Sequence, residues 1–335
     1  MPSIAVVIPV ASDHHRLPGL LKSLQAQDRL PDEVIIVSAH ALPDVAAEFS
    51  LPISALKNPS GAIPAALNIG IGAANSEIIL RMDVHARPFP DYTRLCLDAL
   101  EGSGADVVGG HLKIEPGGAG DVAAAIALAV GHPLGAGDAR YRLQSPHHAG
   151  DVDTVPYGCY RKTLWERLGG YDESLLANED YEFHWRVRAA GGRVYFDPAI
   201  RVAYYARATL GELARQYFRY GWWKAQMLRR HPRSLRWRQA LPVIALAVLV
   251  SSILIAFFSG AGRLFLLSAF ILYFLSLGLA GVPTAVQRRS FVLLLALPLA
   301  FATVHFAWSA GAWANWLTGG RWPFFTTETQ RAQSQ

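Results

Sequence analysis

The sequence predicts an α/β protein: a Rossmann-like, mostly parallel sheet domain followed by three apolar helices long enough to cross a bilayer. Two observations give the sheet. Residues 3–10 form a β-branched run interrupted by Pro9, and residues 33–37 (Glu-Val-Ile-Ile-Val) form a second one. Between them Leu17, Leu20, Leu21 and Leu24 recur at helical spacing, and Pro31 ends that segment. Strand, helix, strand at this interval starts a βαβ unit and implies parallel pairing. A third observation gives the helices. Residues 241–259, 264–282 and 291–317 contain no acid and no lysine, and each approaches or exceeds the ~20 residues that span a hydrocarbon core.

The elements between follow in order. A short helix is expected over 44–49 and a third strand over 53–56. Asn58-Pro59-Ser60-Gly61 is turn chemistry. The helix expected over 63–74 is rich in small residues, with Ala65, Ala66, Asn68 and Gly70 permitting close approach to a sheet or a phosphate. Residues 78–85 (Ile-Ile-Leu-Arg-Met-Asp-Val-His) read as a buried strand running into Asp83 and His85 at its carboxyl end. In open α/β sheets ligands bind beyond such ends, so these two residues are the expected meeting place of a divalent cation and a diphosphate. A helix over 91–100 and a strand over 106–110 continue the alternation. Residues 116–150 are irregular, with an alanine-rich stretch at 122–130 and then His132, Arg140, Arg142, His147 and His148. A loop region of this length is usually functional. An acceptor-side flap near the membrane and an ordinary surface insertion both fit it. A helix over 161–168, the turn Gly169-Gly170-Tyr171-Asp172, a helix N-capped by Asn178 with acids in its first turn, and a strand over 193–196 complete the sheet domain. Residues 210–230 are a basic, aromatic helical segment.

Charge and cysteine use narrow the class. Hydrophobic residues make up 52% of the 335, but the excess collects after residue 240. The net charge of +5 is no nucleic-acid footprint, because Arg229, Arg230, Arg233, Arg236 and Arg238 sit immediately before the first apolar stretch. That places them on the cytoplasmic, anionic-lipid side. Arg288 and Arg289 precede the third stretch, and Arg263 lies in the expected first connecting loop. Three crossings then put the tail, 319–335, on the outer side. Trp308, Trp313, Trp316 and Trp322 suit an interfacial belt. Two cysteines, Cys96 and Cys159, give neither a disulfide framework nor metal-ligand spacing and suit a reduced cytosol. No signal peptide is expected at the N-terminus. A transporter is disfavoured, since the apolar stretches carry no Asp, Glu or Lys.

Four motifs lie in register: Arg81-Met82-Asp83-x-His85; Val152-Asp153-Thr154-Val155-Pro156-Tyr157-Gly158; Asn178-Glu179-Asp180-Tyr181-Glu182-Phe183; and Gln216-Tyr217-Phe218-Arg219-Tyr220-Gly221. In this order they resemble the inverting family 2 glycosyltransferases of GT-A fold, and more closely the ExoA-type membrane enzymes of succinoglycan and exopolysaccharide assembly. The resemblance covers the whole segment before the apolar stretches. It implies a GT-A catalytic domain over 1–209, an interfacial segment over 210–239, three transmembrane helices over 240–318 and a tail over 319–335. It also implies an inner-membrane, multi-pass protein with its catalytic domain in the cytosol.

The resemblance further implies transfer of a hexose, glucose from a UDP-sugar, to a polyprenyl-diphosphate-linked glycan, with a polysaccharide-assembly complex as a further partner. Asp180, with Glu179 beside it, would be the general base, kept ionised by its place in a helix first turn. Asp83 and His85 would hold Mg²⁺ or Mn²⁺ as a Lewis acid for the leaving diphosphate, His85 standing where the family has a second Asp. Pro9, Val10, Ser38, Asn58, Gly61, Asn68, Asp83 and Arg219 would contact the donor, Ser38 replacing the usual base-binding Asp. Tyr157, Gly158, Gln216 and Tyr220 would contact the acceptor, and Gln216-x-x-Arg219-Tyr220 resembles the Gln-x-x-Arg-Trp signature of membrane polysaccharide synthases. A non-catalytic sugar-nucleotide-binding membrane subunit and a processive polysaccharide synthase remain as alternatives.

Overall fold

The computed structural model describes residues 2–11, 14–40, 48–144 and 148–321. Most of the helix expected over 44–49, His147 and the tail beyond residue 321 therefore lie outside the described residues. Two compact units emerge: residues 2–113 with 148–204, and residues 114–144 with 205–321. This differs from a single cut at residue 209, because the irregular stretch after the sixth strand sorts with the helical unit.

The first unit is built on a mixed sheet. β1 (Ile4–Val10) is buried at every position, as expected of a central parallel strand covered on both faces. It pairs in parallel with β2 (Glu33–Ser38) on one side and β4 (Ile78–Arg81) on the other, and β3 (Ile53–Lys57) adds in parallel outside β2. Beyond β4 the direction changes. β8 (Cys159–Arg161) pairs antiparallel with both β4 and β6 (Val107–Glu115). β9 (Val194–Tyr205) pairs antiparallel with β5 (Arg87–Pro88) and β7 (Gly150–Asp151). The main order is β3-β2-β1-β4-β8-β6-β9-β5. The helices of this unit are α1 (Leu17–Gln25), α2 (Ile63–Ala73), α3 (Tyr92–Ser103), α6 (Lys162–Leu168) and α7 (Glu179–Ala189). The strand expected over 193–196 is three times longer, continuing through Pro198 to Tyr205.

The second unit is helical: α4 (Asp121–Val130), α5 (Pro133–Ala136), α8 (Leu210–Arg230), α9 (Trp237–Phe258), α10 (Gly260–Arg288) and α11 (Phe291–Leu317). Thr209 starts α8 with a capping box: its Oγ1 accepts from Glu212 N, and Glu212 Oε2 accepts from Thr209 N, both at 3.2 Å. Three helices, Trp237–Phe258, Gly260–Pro283 and Phe291–Leu317, are long and apolar enough to cross a membrane, with mean hydropathies of 2.7, 2.2 and 2.0. Arg263, expected in a connecting loop, instead lies inside α10. Ser259 alone joins α9 to α10, and its side chain accepts from Gly262 N, so the helix restarts at once.

Candidate active site

β4 delivers the first site residues. Arg81 is the last residue of the strand and Asp83 follows just beyond its carboxyl end, where the two side chains meet. Asp83 and His85 are partly exposed, at 21% and 28%, with Asp83 Oδ2 and His85 Nε2 3.7 Å apart. The other Asp83 oxygen, Oδ1, stands 3.0 Å from Arg81 Nη2. The His85 ring meets Tyr204 edge to face at 5.8 Å.

α7 brings the second pair. Arg81 Nη2 donates to Glu179 Oε1 at 2.9 Å, and Nη1 lies 3.2 Å from Asp180 Oδ2. One buried guanidinium thus faces three carboxylates. Burial alone would lower its pKa, but Asp180, Asp83 and Glu179 outweigh burial and hold it charged. Asp180 answers in the opposite sense. Burial pushes its carboxyl up, Arg81 pulls it down, and the negative charges of Glu179 and Asp83 add to the rise; the result is about 7. The sequence reading had the helix first turn keeping this acid ionised. Burial of the carboxyl, reinforced by the neighbouring carboxylates, overrides that weak helix-end field.

Asn178 occupies the N-cap as expected, but in the left-handed conformation (φ 64°) and without a side-chain cap bond. The carboxylates of α7 are placed instead by the preceding turn. Asn68 on α2 accepts from Tyr171 N (2.8 Å) and Trp165 Nε1 (3.2 Å), and donates to Tyr171 O and Glu173 Oε1. Its amide is thereby committed to the Gly169–Tyr171 turn. From the other side Arg186 on α7 donates to Leu168 O and Gly170 O while held by Glu182. The turn so fixed presents the buried Tyr171 hydroxyl to Asp180 and, at 3.0 Å, to the Tyr160 hydroxyl.

α7 also holds the segment 153–158. Tyr181 OH donates to Asp153 Oδ2 (3.0 Å), His184 Nδ1 meets Thr154 Oγ1 (2.8 Å), and Arg188 Nε donates to Asp153 O. Burial, with Arg188 and Arg81 nearby, depresses His184 to about 3, so its imidazole is neutral. Tyr157 has φ 50° and is buried; its ring faces the Arg81 guanidinium at 5.6 Å. Gly158 O accepts from Arg81 N at 3.2 Å, and a Cβ on Gly158 would come within 3.1 Å of His184 Nε2.

The remaining sequence-derived residues fall in two places. Pro9, Val10 and Ser38 line the ends of β1 and β2, where Pro9 registers with Val37 and Val10 with Ser38. Ser38 O accepts from Asn58 N at 2.8 Å. Asn58, buried, closes its own turn through Ser60 and Ala62, and Gly61 follows with φ 67°. Gln216, Arg219 and Tyr220 stand on α8 in the second unit, where Gln216 Nε2 donates to Tyr220 OH at 3.0 Å. Sequence reasoning did not assign roles to Arg81, Tyr171 or His184. Arg81 had a legible signal, a charge inside an apolar strand two residues before Asp83; Tyr171, in a turn, and His184, just past the third motif, had none.

Asp83 and His85 offer a cation two donors of different kinds, one carboxylate oxygen and one imidazole nitrogen. Among the described residues no group of three His, Cys, Asp or Glu side chains could hold a metal by itself. A carboxylate completed by substrate phosphates and water suits Mg²⁺ or Mn²⁺, and the imidazole tilts the preference toward Mn²⁺.

Residues 5–150 match the family model described as glycosyl transferase family 2. The match covers a little under half of the chain and, with the relatives that follow, supports a glycosyltransferase on a GT-A-like sheet. Among curated proteins the chain is similar to succinoglycan biosynthesis protein ExoA of Rhizobium meliloti (strain 1021), 28% identical over 325 residues, covering 94% of this chain and 95% of that one. It is also similar to the pre-mycofactocin glycosyltransferase of Mycobacterium tuberculosis (strain CDC 1551 / Oshkosh), 30% identical over 273 residues, 78% of this chain and 54% of that protein. A mannosyltransferase from Pyrobaculum calidifontis, solved with GDP-Man and Mn²⁺, shares the fold with a TM-score of 0.52 at 16% identity, covering 99% of this chain and 83% of that one.

Proposed function

We propose that the protein is an inverting hexosyltransferase of exopolysaccharide assembly, moving glucose from a UDP-sugar to a polyprenyl-diphosphate-linked glycan at the cytoplasmic face of the inner membrane. The observation that carries this reading is the joining of Asp83 and Asp180 through one guanidinium, which supports reading them as a donor-side acid and a base that work together. The similarity to ExoA, a succinoglycan biosynthesis protein, along nearly its full length supports the product class. The basic flank before α9 supports the membrane face.

In this reaction Asp180 accepts the proton of the acceptor hydroxyl as its oxygen attacks the anomeric carbon. A base with a pKa near the working pH balances ionised fraction against proton affinity. The sugar–phosphate bond breaks on the opposite face, so configuration inverts. Asp83 and His85 would hold Mg²⁺ or Mn²⁺, which supplies Lewis-acid stabilisation of the departing diphosphate. Pro9, Val10, Ser38, Asn58, Gly61 and Asn68 form or support the donor pocket. Arg219 clamps the diphosphate with its planar fork. Tyr157, Gly158, Gln216 and Tyr220 shape the acceptor side.

The test is transfer by protein in nanodiscs, given UDP-glucose, Mn²⁺ and a polyprenyl-diphosphate glycan. Asp180→Asn lowers transfer by about 10³-fold, while the donor still protects the variant against thermal unfolding. Full activity in Asp180→Asn overturns the assignment of the base. Wild-type protein that neither transfers nor slowly hydrolyses any of a panel of donors is the non-catalytic subunit instead, and a ladder of products marks a processive synthase.

A further inference from the structure

Arg81 enters the chemistry above only as a counter-charge, yet its setting is unusually constrained. Its backbone N–H is tied to Gly158 O, its side chain is buried, and its plane faces the Tyr157 ring. Nε has no hydrogen-bond partner, so only the two terminal nitrogens hold the carboxylates. Nη2 takes Glu179 (2.9 Å) and Asp83 (3.0 Å); Nη1 takes Asp180 (3.2 Å). Asp83 comes from the end of β4 and Asp180 from the first turn of α7, nearly a hundred residues later. Three carboxylates crowded together repel one another. What sets the two functional ones at a fixed separation is a rigid, planar fork that points in two directions at once. An ammonium group has no such fork.

We infer that Arg81 is a positioning residue for sugar transfer: by gripping Asp180 with one nitrogen and Asp83 with the other, it fixes the base relative to the donor-side acid. It acts through those carboxylates without touching the sugar. In-line displacement demands this separation, because a misplacement of about 1 Å can cost ~10²-fold in rate. The inference rests on the base role of Asp180 proposed above.

The experiment uses full-length protein in nanodiscs with UDP-glucose and Mn²⁺. Arg81→Lys keeps the charge and loses the fork; it lowers kcat by about 10²-fold and leaves donor KM and donor protection against thermal unfolding at their wild-type values. In Arg81→Ala, millimolar guanidinium restores part of kcat, whereas it does nothing for Asp180→Asn. Tyr157→Leu retains every charge but removes the ring face. Because Tyr157 is also proposed to shape the acceptor side, it is read at saturating acceptor: a fall in kcat of about tenfold with donor and acceptor KM both unchanged is the expected result, and a defect confined to acceptor KM counts against the inference. This variant decides the matter if both Arg81 variants fail to fold. Wild-type kcat in Arg81→Lys or Tyr157→Leu, or a defect confined to donor KM, overturns the inference. An inactive Asp180→Asn beside a fully active Arg81→Lys removes this inference alone. An active Asp180→Asn removes the base assignment beneath it.

Discussion

Asp180 is where burial, one cation and two neighbouring anions meet, and the balance sets both its chemistry and its cost. Its side chain is 19% exposed and its pKa is raised from 3.8 to about 7. A carboxyl raised on folding binds its proton more tightly in the native state than in the unfolded chain. The resulting stabilisation is complete below about pH 4 and is lost as the pH rises through 7. Two outcomes are expected. Transfer rates, measured as kcat/KM for the acceptor, climb about tenfold per pH unit below 7 and level above it; a profile flat from pH 5 to 8 contradicts this. Thermal unfolding of Asp180→Asn matches wild type only below about pH 4, where the carboxyl is protonated in both states. As the pH rises the variant gains on wild type, and at pH 8 it is more stable by on the order of 4 kcal/mol, because Arg81 keeps Glu179 and Asp83 after the third carboxylate is gone.

At the scale of elements, α8 and α11 approach more closely than side chains permit. A Cβ on Gly221 would lie 2.0 Å from Trp308 O, and one on Gly311 would lie 2.0 Å from Phe218 O. Neither backbone can yield without displacing its helix. Gly221→Ala and Gly311→Ala are each expected to cost about 1–3 kcal/mol by overpacking, read as a lowered unfolding temperature in detergent. Gly278→Ala on α10, with nothing within 4 Å of the added carbon, is expected to be neutral or stabilising. This crossing was not legible in the sequence, where two lone glycines ninety residues apart carry no pattern. The parallel half of the sheet was, because β-branched runs separated by helical leucines admit few other arrangements. β9 was read short because Asp197 and Pro198 resemble a strand end, yet the alternation resumes at Ile200, Val202 and Tyr204, which are buried. The stretch 114–144 hid its partner: α4 is alanine on every side, so nothing in its sequence says that it packs in the cluster of α8 and α11. In the site, Asp83, Glu179 and Asp180 were readable from motif order. The guanidinium joining them was readable only by treating Arg81 as a buried charge in need of partners.

For the molecule as a whole, hydropathy and packing give different accounts of the third apolar helix. Of their membrane-length windows, α9 is 6% buried and α10 11%, against 44% for α11. Length and apolarity are shared by spans and by core helices; what covers the helix distinguishes them. α11 is covered by α8, which carries Glu212, Arg215, Arg219, Lys224, Arg229 and Arg230 within 21 residues, four of those arginines exposed. Such a helix does not lie in hydrocarbon. Yet it touches α11 at Trp308, at Gly311 and, through Arg229, at Asn315. The other end of α11 is tied to a charge as well, Ser290 Oγ donating to Asp121 Oδ2 at 2.7 Å. The expected topology is therefore a two-span hairpin of α9 and α10, turning at Ser259, with α11 packed against its cytoplasmic end. The chain beyond Gly319 is then on the same side as the basic flank, opposite to the outcome of three crossings. Ser334→Cys tests this with a membrane-impermeant maleimide, since Cys96 and Cys159 are buried and give little background. Labelling only after lysis of spheroplasts is the expected result. Labelling of intact spheroplasts means that α11 crosses too, and that α8 follows it into the bilayer with its charges paired.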